Sequence, residues 1–335
     1  MKLNINLAHT SYDILIEKDC IQNVSRYVNL KRNIFIVMDK GVPTQYLETL
    51  LKQCEHANYI VVEQGEGSKS FEVYELILKK LLELKFTRSD LLIALGGGVI
   101  GDLCGFVASS YMRGIDFISI PTTSLSQIDS SIGGKVAINL NHVKNIVGAF
   151  YHPKMVFIDT NLLKTLPNRQ LMNGLVEALK AGLIYDETLF NLFEKDNYLD
   201  YLDEIITRSL AVKKDVVEKD EKEQHLRKIL NFGHTLGHAI ESYYGLSELY
   251  HGECVAIGML GMLEDEALKN RVLKIYEKMG LKTKVDFDLE AIYQLMLKDK
   301  KATKNNITIV TVKKCGQAEL KEIEFEALKT YINRI

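Results

Sequence analysis

The sequence predicts an α/β protein with an N-terminal Rossmann-like domain, built on a mostly parallel sheet, and a C-terminal, mainly helical domain. In the first half, short apolar segments alternate with helical segments, which is typical of a parallel sheet covered on both faces. A glycine-rich turn follows the most apolar of these segments. After Pro167, segments with helical periodicity dominate. We therefore expect one domain at residues 1–165 and another at residues 166–335.

The elements of the first half are predicted from the period of their apolar residues. Alternating apolar and polar residues indicate two paired strands near the N-terminus, and continuous apolar runs indicate buried strands after them. The predicted strands are Lys2–Leu7, Tyr12–Ile16, Asn33–Met38, Tyr59–Val62, Leu91–Leu95, Phe117–Ile120 and Met155–Ile158, with a helix at Ser70–Leu84. The polar residues that follow Phe117–Ile120 are predicted to lie in a loop.

The second half is predicted to be helical except for one small hairpin. Its helices are Leu171–Ile184, Leu189–Phe193, Leu202–Lys219, Lys228–Tyr243, Val255–Lys269 and Leu289–Leu297. The hairpin pairs Ile307–Val312 with Leu320–Ile323.

Length and composition exclude several classes of protein. A chain of 335 residues with a net charge of −2 has room for two domains and no basic character, so we expect no nucleic-acid partner. Five cysteines without CxxC spacing indicate free thiols in a reducing compartment. No signal peptide and no uncharged run of membrane-spanning length is found. We therefore expect a soluble, cytoplasmic protein that does not bind membranes.

A glycine-rich turn predicts a dinucleotide site. Gly96, Gly98 and Gly101 match G-x-G-x-x-G between the strand Leu91–Leu95 and a helix. Glycines there let backbone N–H groups approach a pyrophosphate, although the same pattern also occurs in tight strand–helix turns. In a dinucleotide-binding fold, the acidic residue that binds the ribose should end a strand. Asp39 comes at the end of the strand Asn33–Met38, whereas Asp116 comes at the start of the strand Phe117–Ile120, so Asp39 is the better candidate.

Polar residues accumulate next to this turn. Hydroxyl groups follow the strand Phe117–Ile120, and the segment Asp129–Lys135 and the pair Lys144–Asn145 come shortly after. Solvated loops are often polar, so any one of these side chains has little weight. Several of them beside a nucleotide turn indicate a binding site.

The stretch Leu230–Glu241 carries the strongest chemical signal in the second half. His234 and His238 are four residues apart and share one face of a predicted helix. Gly233 and Gly237 are unfavourable inside a helix, so we expect them to allow close approach of something bulky, such as a metal or a ligand.

A third histidine can join this pair. His251 follows a short loop and can return to His234 and His238. Thr235 stands where a zincin would carry its general-base glutamate, so a metalloprotease is not expected. The residues alone leave open whether the two helix histidines bind metal together or have different roles.

Taken together, these strings resemble the 3-dehydroquinate synthase family. The resemblance extends from about Asp39 to Lys301, in the family's order. The matching strings are GGGVIGD, YMRG, PTT, DSSIGGK, KN, KTLP, GLVEALK, LNFGHTLGHAIE and HGE. The resemblance implies a homodimer that converts 3-deoxy-D-arabino-heptulosonate 7-phosphate to 3-dehydroquinate and phosphate, a lyase step of the shikimate pathway to aromatic amino acids.

The resemblance also implies a role for each matching residue. Zinc or cobalt would be held by Glu177, His234 and His251, so that His238 would face the substrate phosphate. NAD would lie along Asp39, Glu66, Lys69, Gly97, Gly98, Val99, Gly101, Asp102, Thr122, Thr123, Lys144 and Thr165. Groups for the substrate would be Asp129, Lys135, Asn145, Lys180, Lys213, Arg227, Asn231 and His238, with Arg113 supplied across the dimer interface. Lys300, Lys301 and Lys304 compete for one further phosphate contact.

The implied chemistry is transient NAD-dependent oxidation, phosphate elimination, re-reduction and intramolecular aldol closure. Two other readings remain. A metal-dependent alcohol or glycerol dehydrogenase would share the glycine turn and histidine ligands but would not need so many cations. A non-enzymatic nucleotide-binding regulator would have no use for a carboxylate, histidines and lysines that converge.

Overall fold

The computed structural model describes residues 1–141, 143–245, 248–297 and 306–335. The chain divides into two compact units, Met1–Pro167 and Asn168–Ile335. In the described part of the chain, no helix combines the length and apolar composition that crossing a membrane requires. Lys300, Lys301 and Lys304, which compete for a phosphate contact, lie outside the described residues.

The first unit is built on a seven-stranded sheet with strand order β1-β2-β9-β6-β5-β3-β4. Strand β1 is antiparallel to β2, and every other neighbouring pair in this sheet is parallel. The strands are β1 (Lys2–Asn6), β2 (Ser11–Ile16), β3 (Asn33–Asp39), β4 (His56–Val62), β5 (Leu91–Gly96), β6 (Asp116–Pro121), β7 (Lys135–Leu140), β8 (Val143–Phe150) and β9 (Met155–Ile158). The helices are α1 (Thr44–Leu51), α2 (Phe71–Glu83) and α3 (Gly98–Ser110). The predicted mostly parallel sheet is confirmed.

Helices cover both faces of this sheet. Alternate residues of each strand point to opposite faces, so each strand contributes side chains to both cores. From β3, Ile34 and Ile36 join a core cluster that includes Leu50 of α1. Phe35 of the same strand joins a second cluster with Leu81 of α2 and other residues of α2 and α3. The sequences of these strands are therefore continuous runs of apolar residues and do not alternate between apolar and polar residues.

The strand order reverses between β3 and β5. From β3 the chain moves outward to β4, whereas from β5 it moves in the other direction to β6. Met38 lies opposite Leu95, so Asp39 and Gly96 end neighbouring strands at the same sheet edge. In open α/β sheets, ligands bind at the carboxyl ends of the strands where the order reverses.

The second unit is mainly helical, as predicted, with one antiparallel hairpin. Its helices are α4 (Asn168–Ile184), α5 (Glu187–Glu194), α6 (Leu202–Lys219), α7 (His234–Tyr244), α8 (His251–Met262), α9 (Glu266–Met279), α10 (Leu289–Leu297) and α11 (Leu328–Ile332). The hairpin pairs β10 (Asn306–Lys314) with β11 (Gln317–Glu324). Helix α4 has a nearly continuous buried stretch from Gly174 to Ile184, and α5, α6 and α8 pack against it.

The predicted helix Lys228–Tyr243 is wrong at its start. Residues Leu226–Asn231 form a separate 3₁₀ turn, and α7 begins only at His234. The break lies at Gly233, whose φ of 77° is a left-handed conformation that favours glycine. Asn231 is therefore not on the same helix as the two histidines.

The predicted helix Val255–Lys269 is also wrong, because the chain forms two helices there. Helix α8 ends at Met262, and Leu263 takes an extended conformation and bridges to Val312. Asp265 then caps α9 by accepting a hydrogen bond from the Leu268 N–H at 2.7 Å.

The predicted polar loop after β6 contains regular structure. A short π-helix at Ser126–Ser130 precedes the antiparallel pair β7–β8. Lys135 begins β7, and Lys144 and Asn145 lie on β8. The prediction followed the polar residues that flank or interrupt the two strands and passed over the short apolar runs Val136–Ile138 and Ile146–Phe150.

Candidate active site

Glu177 and Lys180 lie one turn apart on α4 and are both almost fully buried. Their side chains are 2% and 4% exposed, respectively, and they form an ion pair through Glu177 Oε2. Neither carboxylate oxygen of Glu177 accepts a hydrogen bond of normal geometry within the described residues. Lys180 faces Oε2, whereas Oε1 is buried without a hydrogen bond from any described residue, and a carboxylate oxygen in that position requires a further partner such as a metal cation.

Two histidines present the same ring atom to this carboxylate. His234 Nε2 lies 3.6 Å from Glu177 Oε1, and His251 Nε2 lies 3.5 Å from the same oxygen. In a tetrahedral zinc site with bonds near 2.1 Å, two ligand atoms are separated by about 3.4 Å. Glu177, His234 and His251 therefore fit one divalent ion, each through a single ligand atom.

Electrostatics keep two of these ligands in the protonation state that a metal needs. Burial alone would raise the pKa of Glu177, but the Lys180 ammonium, with His234 and His251, holds this pKa well below its usual range. Burial, and then Lys180, lower the pKa of His234 well below its ordinary value. Glu177 is thus a carboxylate and His234 a neutral imidazole at neutral pH.

The pKa of His251 moves in the other direction. Burial favours its neutral form, but the Glu177 and Glu241 carboxylates together raise the pKa to about 9. The imidazole ring is therefore protonated on both nitrogens at neutral pH. A cation that binds beside Glu177 would replace the proton that faces this carboxylate.

The start of α8 is fixed to α4 by two contacts that the sequence did not suggest. The Asn173 side-chain oxygen accepts a hydrogen bond from the Gly252 N–H at 2.6 Å. Arg169 donates to both carboxylate oxygens of Glu253 at 2.7 Å. These contacts hold His251, the first residue of α8, next to the helix that carries Glu177. Glu253 at the third helical position also accepts a hydrogen bond from the Tyr250 N–H at 2.8 Å, but a tyrosine at the N-cap is not the usual capping-box residue, so the sequence contained no clear signal.

Gly233 and Gly237 serve helix packing, contrary to the expectation that they make room for a metal or ligand. A Cβ on Gly233 would lie 2.5 Å from Met259 Cγ, and one on Gly237 would lie 3.0 Å from the Cys254 carbonyl oxygen. Both contacts are with α8. The glycines bring α7 and α8 together, and so bring His234 close to His251.

His238 also lies close to this centre. Its ring centroid is 5.2 Å from that of His234 and 5.6 Å from that of His251. The ligand atoms of the three histidines lie within 4.8 Å of one another, so a three-histidine set is geometrically possible as well. The Glu177 carboxylate has ion-pair contacts to His234 and His251, which favours the set that includes the carboxylate.

Two further cations of the second unit are buried, and the amide of Asn231 is half-buried. Lys213 on α6 and Arg227 in the 3₁₀ turn are 7% and 3% exposed. Arg227 donates to the carbonyl of Glu221, and Asn231 donates to Glu223 Oε1 at 2.5 Å. Because charged side chains are seldom fully buried, Lys213 and Arg227 are candidates for anion binding.

In the first unit, the glycine turn lies beside the threonines predicted to bind NAD. The Thr122 N–H donates to the carbonyl of Gly96 at 3.0 Å, and a Cβ on Gly97 would lie 3.0 Å from Thr123 Cγ2. At Gly101 a Cβ would meet no protein atom within 4 Å. Open space over the start of α3 fits a pyrophosphate on exposed N–H groups.

Lys69 connects several residues of the predicted nucleotide site. It is 4% exposed, donates to Asp102 Oδ2 at 2.6 Å and to the side-chain oxygen of Asn145, and lies 3.7 Å from Glu66 Oε1. Asp39 is 8% exposed, and burial raises its pKa although its Oδ1 accepts a hydrogen bond from the Gly41 N–H.

A small pocket lies between α3 and β7. Asp102 and Lys135 line it together with Ser130 and Ser131, whose hydroxyl oxygens are buried and without a hydrogen-bond partner within the described residues. Asp129 is partly exposed directly before these serines. Both serines belong to the polar segment Asp129–Lys135 indicated by the sequence, but neither was assigned a role of its own.

The remaining predicted residues occupy several places in the first unit. Thr165 Oγ1 is hydrogen-bonded to the Tyr46 hydroxyl at 2.9 Å. Arg113 has a φ of 66° within a left-handed segment that continues to Gly114. Lys144 is exposed on β8, and Val99 lies in the first turn of α3.

Comparisons with known proteins identify the family. A model of the 3-dehydroquinate synthase N-terminal region matches residues 59–173, and one of the C-terminal region matches residues 174–302. The 3-dehydroquinate synthase of Clostridium beijerinckii is 40% identical over 344 residues, which cover 97% of this chain and 98% of that protein.

Two solved structures have a similar fold. A 2-deoxy-scyllo-inosose synthase, complexed with carbaglucose-6-phosphate, NAD⁺ and Co²⁺, has a TM-score of 0.88 at 24% identity and covers 99% of both chains. The 2-epi-5-epi-valiolone synthase from Streptomyces hygroscopicus, with NAD⁺ and Zn²⁺ bound, has a TM-score of 0.87 at 26% identity, covering 98% of this chain and 99% of that one. With both family regions and a full-length relative matched, the chain belongs to the 3-dehydroquinate synthase family.

Proposed function

We propose that the protein converts 3-deoxy-D-arabino-heptulosonate 7-phosphate to 3-dehydroquinate and inorganic phosphate. The observation that carries the proposal is the buried Glu177 carboxylate, which faces His234 Nε2 and His251 Nε2 beside the Lys180 ammonium. The full-length likeness to 3-dehydroquinate synthases supports the substrate and the lyase chemistry. The free cysteines support a cytoplasmic location.

The cofactors are NAD and one divalent metal ion, Zn²⁺ or Co²⁺. Two structurally similar sugar-phosphate cyclases have NAD⁺ together with Co²⁺ or Zn²⁺ bound. Glu177, His234 and His251 would hold the metal, and the turn at Gly96–Asp102 would hold the pyrophosphate. When bound, NAD⁺ accepts and returns a hydride and the metal acidifies the substrate hydroxyl.

The buried cations of this chain bind and orient the charged ends of the substrate. Lys180 stabilises negative charge that develops on the substrate oxygen beside the metal position. Lys213 and Arg227 bind the carboxylate, because both are buried cations and the planar guanidinium of Arg227 can donate two parallel hydrogen bonds to that group. The family resemblance assigns Lys135, Asn145, Asn231 and His238 to the phosphate, and Asp129 to the substrate. Elimination then needs a phosphate whose orientation is fixed more than it needs a strong base.

The protein is further proposed to act as a homodimer in which Arg113 reaches the site of the second copy. Met112, Arg113 and Gly114 all have positive φ values, and Met112 is 45% exposed. A strained, exposed segment is held in place only when something around it fixes it, and a second subunit would do so.

The decisive experiment follows the nicotinamide during turnover. An enzyme that oxidises and re-reduces the same molecule uses NAD⁺ as a catalyst, whereas a dehydrogenase consumes it. We expect one phosphate released per heptulosonate phosphate consumed when NAD⁺ is far below the substrate concentration, with no rise in NADH absorbance. Stoichiometric NADH formation, or no phosphate release from this substrate, would favour the dehydrogenase reading instead.

A further inference from the structure

The two ring nitrogens of His251 each face a carboxylate. Nε2 lies 3.5 Å from Glu177 Oε1, and Nδ1 lies 3.3 Å from Glu241 Oε2. A neutral imidazole carries a proton on one nitrogen and a lone pair on the other. If Nδ1 donates its proton to Glu241, the lone pair is on Nε2 and points toward the oxygen of Glu177.

His234 has the same arrangement with a different second partner. Its Nε2 lies 3.6 Å from Glu177 Oε1, while its Nδ1 lies 3.2 Å from the carbonyl oxygen of Phe232. A carbonyl only accepts, so a neutral His234 in this position carries its proton on Nδ1. Both histidines can thus present the Nε2 lone pair to one point next to Glu177.

The sequence places Glu241 where it can reach His251. It follows His234 by seven residues, which is two turns of α7 and therefore the same helix face. Close packing of α7 on α8 at Gly237 brings this face against the start of α8. The Glu241 side chain is 13% exposed, so its contact with the ring is largely shielded from water.

We propose that Glu241 is a positioning residue for the metal centre, one that keeps His251 protonated on Nδ1 and directs Nε2 at the metal. Carboxylates that accept a hydrogen bond from a metal-bound histidine fix its tautomer and its ring orientation. The inference rests on the proposed metal site at Glu177, His234 and His251. It assigns a role to a residue that the proposed catalytic steps do not use.

The first test measures metal affinity by competition with a chelator of known affinity. Loss of a carboxylate that accepts a hydrogen bond from a metal-bound histidine lowers the affinity for the metal by about 10–100-fold. We expect this loss for Glu241→Ala. Glu241→Gln keeps an acceptor for the Nδ1 proton and should recover most of the affinity. Glu266→Ala is the control, because this exposed carboxylate also lies in the first turn of a helix, α9, and has no role in the proposed metal centre.

The second test observes the tautomer directly and does not depend on affinity. In the zinc-loaded protein with ¹⁵N-labelled histidine, the His251 resonances should show a protonated Nδ1 hydrogen-bonded to an acceptor. In Glu241→Gln the proton should stay on Nδ1 with a smaller downfield shift. A spectrum with the His251 proton on Nε2 in the wild-type protein overturns the proposal.

The outcomes separate this inference from the proposed function. A wild-type protein that binds no divalent metal contradicts the proposed function itself. A wild-type protein that binds metal, with a metal affinity of Glu241→Ala no lower than that of the wild type or of Glu266→Ala, overturns only the role of Glu241. If Glu241→Ala does not fold, Glu241→Gln and the tautomer measurement decide.

Discussion

At the scale of single residues, the sequence could not separate His234 from His238. Four-residue spacing puts both on one helix face, and both rings lie near His251. The difference lies in a residue far away in sequence, since Glu177 on α4 has its ion-pair contact with His234. No local pattern encodes that contact, which is why only the family resemblance suggested the division of roles.

The two histidines should therefore respond differently to substitution. His234→Ala removes a ligand that faces Glu177, so the purified protein should contain little metal. His238→Ala should retain about one metal ion per chain and lose turnover, because the ion keeps three protein ligands. Metal analysis of both folded variants checks this, and equal loss of metal would instead support a three-histidine site.

A substitution of Lys69 tests the predicted nucleotide site in the first unit. Its ammonium is buried against Asp102 and Asn145, and hydrogen bonds to charged groups contribute about 1.5–3 kcal/mol each. Lys69→Met should weaken NAD⁺ binding at least about 10-fold, because 1.4 kcal/mol corresponds to a factor of ten. Metal content should not change.

The control for that measurement is Lys80→Met. Lys80 forms an exposed ion pair with Glu83 at 2.7 Å on α2, and exposed pairs contribute little. Calorimetric titration with NAD⁺ should give the wild-type dissociation constant for this variant. An unaltered constant for Lys69→Met would remove Lys69 from the nucleotide site.

At the scale of secondary structure, the metal centre depends on how closely α7 and α8 pack. Gly258 of α8 lies against the Gly233 carbonyl, so that a Cβ there would clash with backbone atoms. This contact fixes the separation of the helices that carry His234 and His251. The glycines were visible in the sequence, but their partners were not, because they lie on the other helix.

Gly258→Ala should accordingly destabilise the protein and weaken metal binding together. Overpacking a close contact costs about 1–3 kcal/mol, and backbone atoms cannot move aside as a flexible side chain can. Gly67→Ala, where a Cβ would meet nothing within 4 Å, serves as the control. Denaturant unfolding gives the free energy of unfolding of each variant, and a Gly258→Ala protein as stable as the control contradicts this packing role.

At the scale of the whole molecule, the sequence correctly predicted the strands and helices that depend on local patterns and on the longest apolar runs. The parallel strands were found because burial on both faces makes runs such as Leu91–Leu95 continuously apolar. The β7–β8 hairpin was missed because its apolar runs, Val136–Ile138 and Ile146–Phe150, are short and lie beside the polar residues Lys135, Lys144 and Asn145. The end of α8 at Met262 was missed because a tertiary bridge from Leu263 to Val312 interrupts a sequence that is otherwise helical.

The final prediction concerns which backbone amides each cofactor protects, because the two candidate cofactor sites lie in separate compact units. NAD⁺ added alone should slow amide hydrogen exchange at the Gly96–Asp102 turn and near Asp39, because these backbone groups lie at the sheet edge where the strand order reverses. Zn²⁺ added alone to metal-free protein should protect the first turns of α7 and α8, where His234 and His251 lie. Exchange measured by mass spectrometry after each addition resolves these segments. Protection of the glycine turn by Zn²⁺ alone, or of the α8 start by NAD⁺ alone, would contradict the assignment of each cofactor to its own unit.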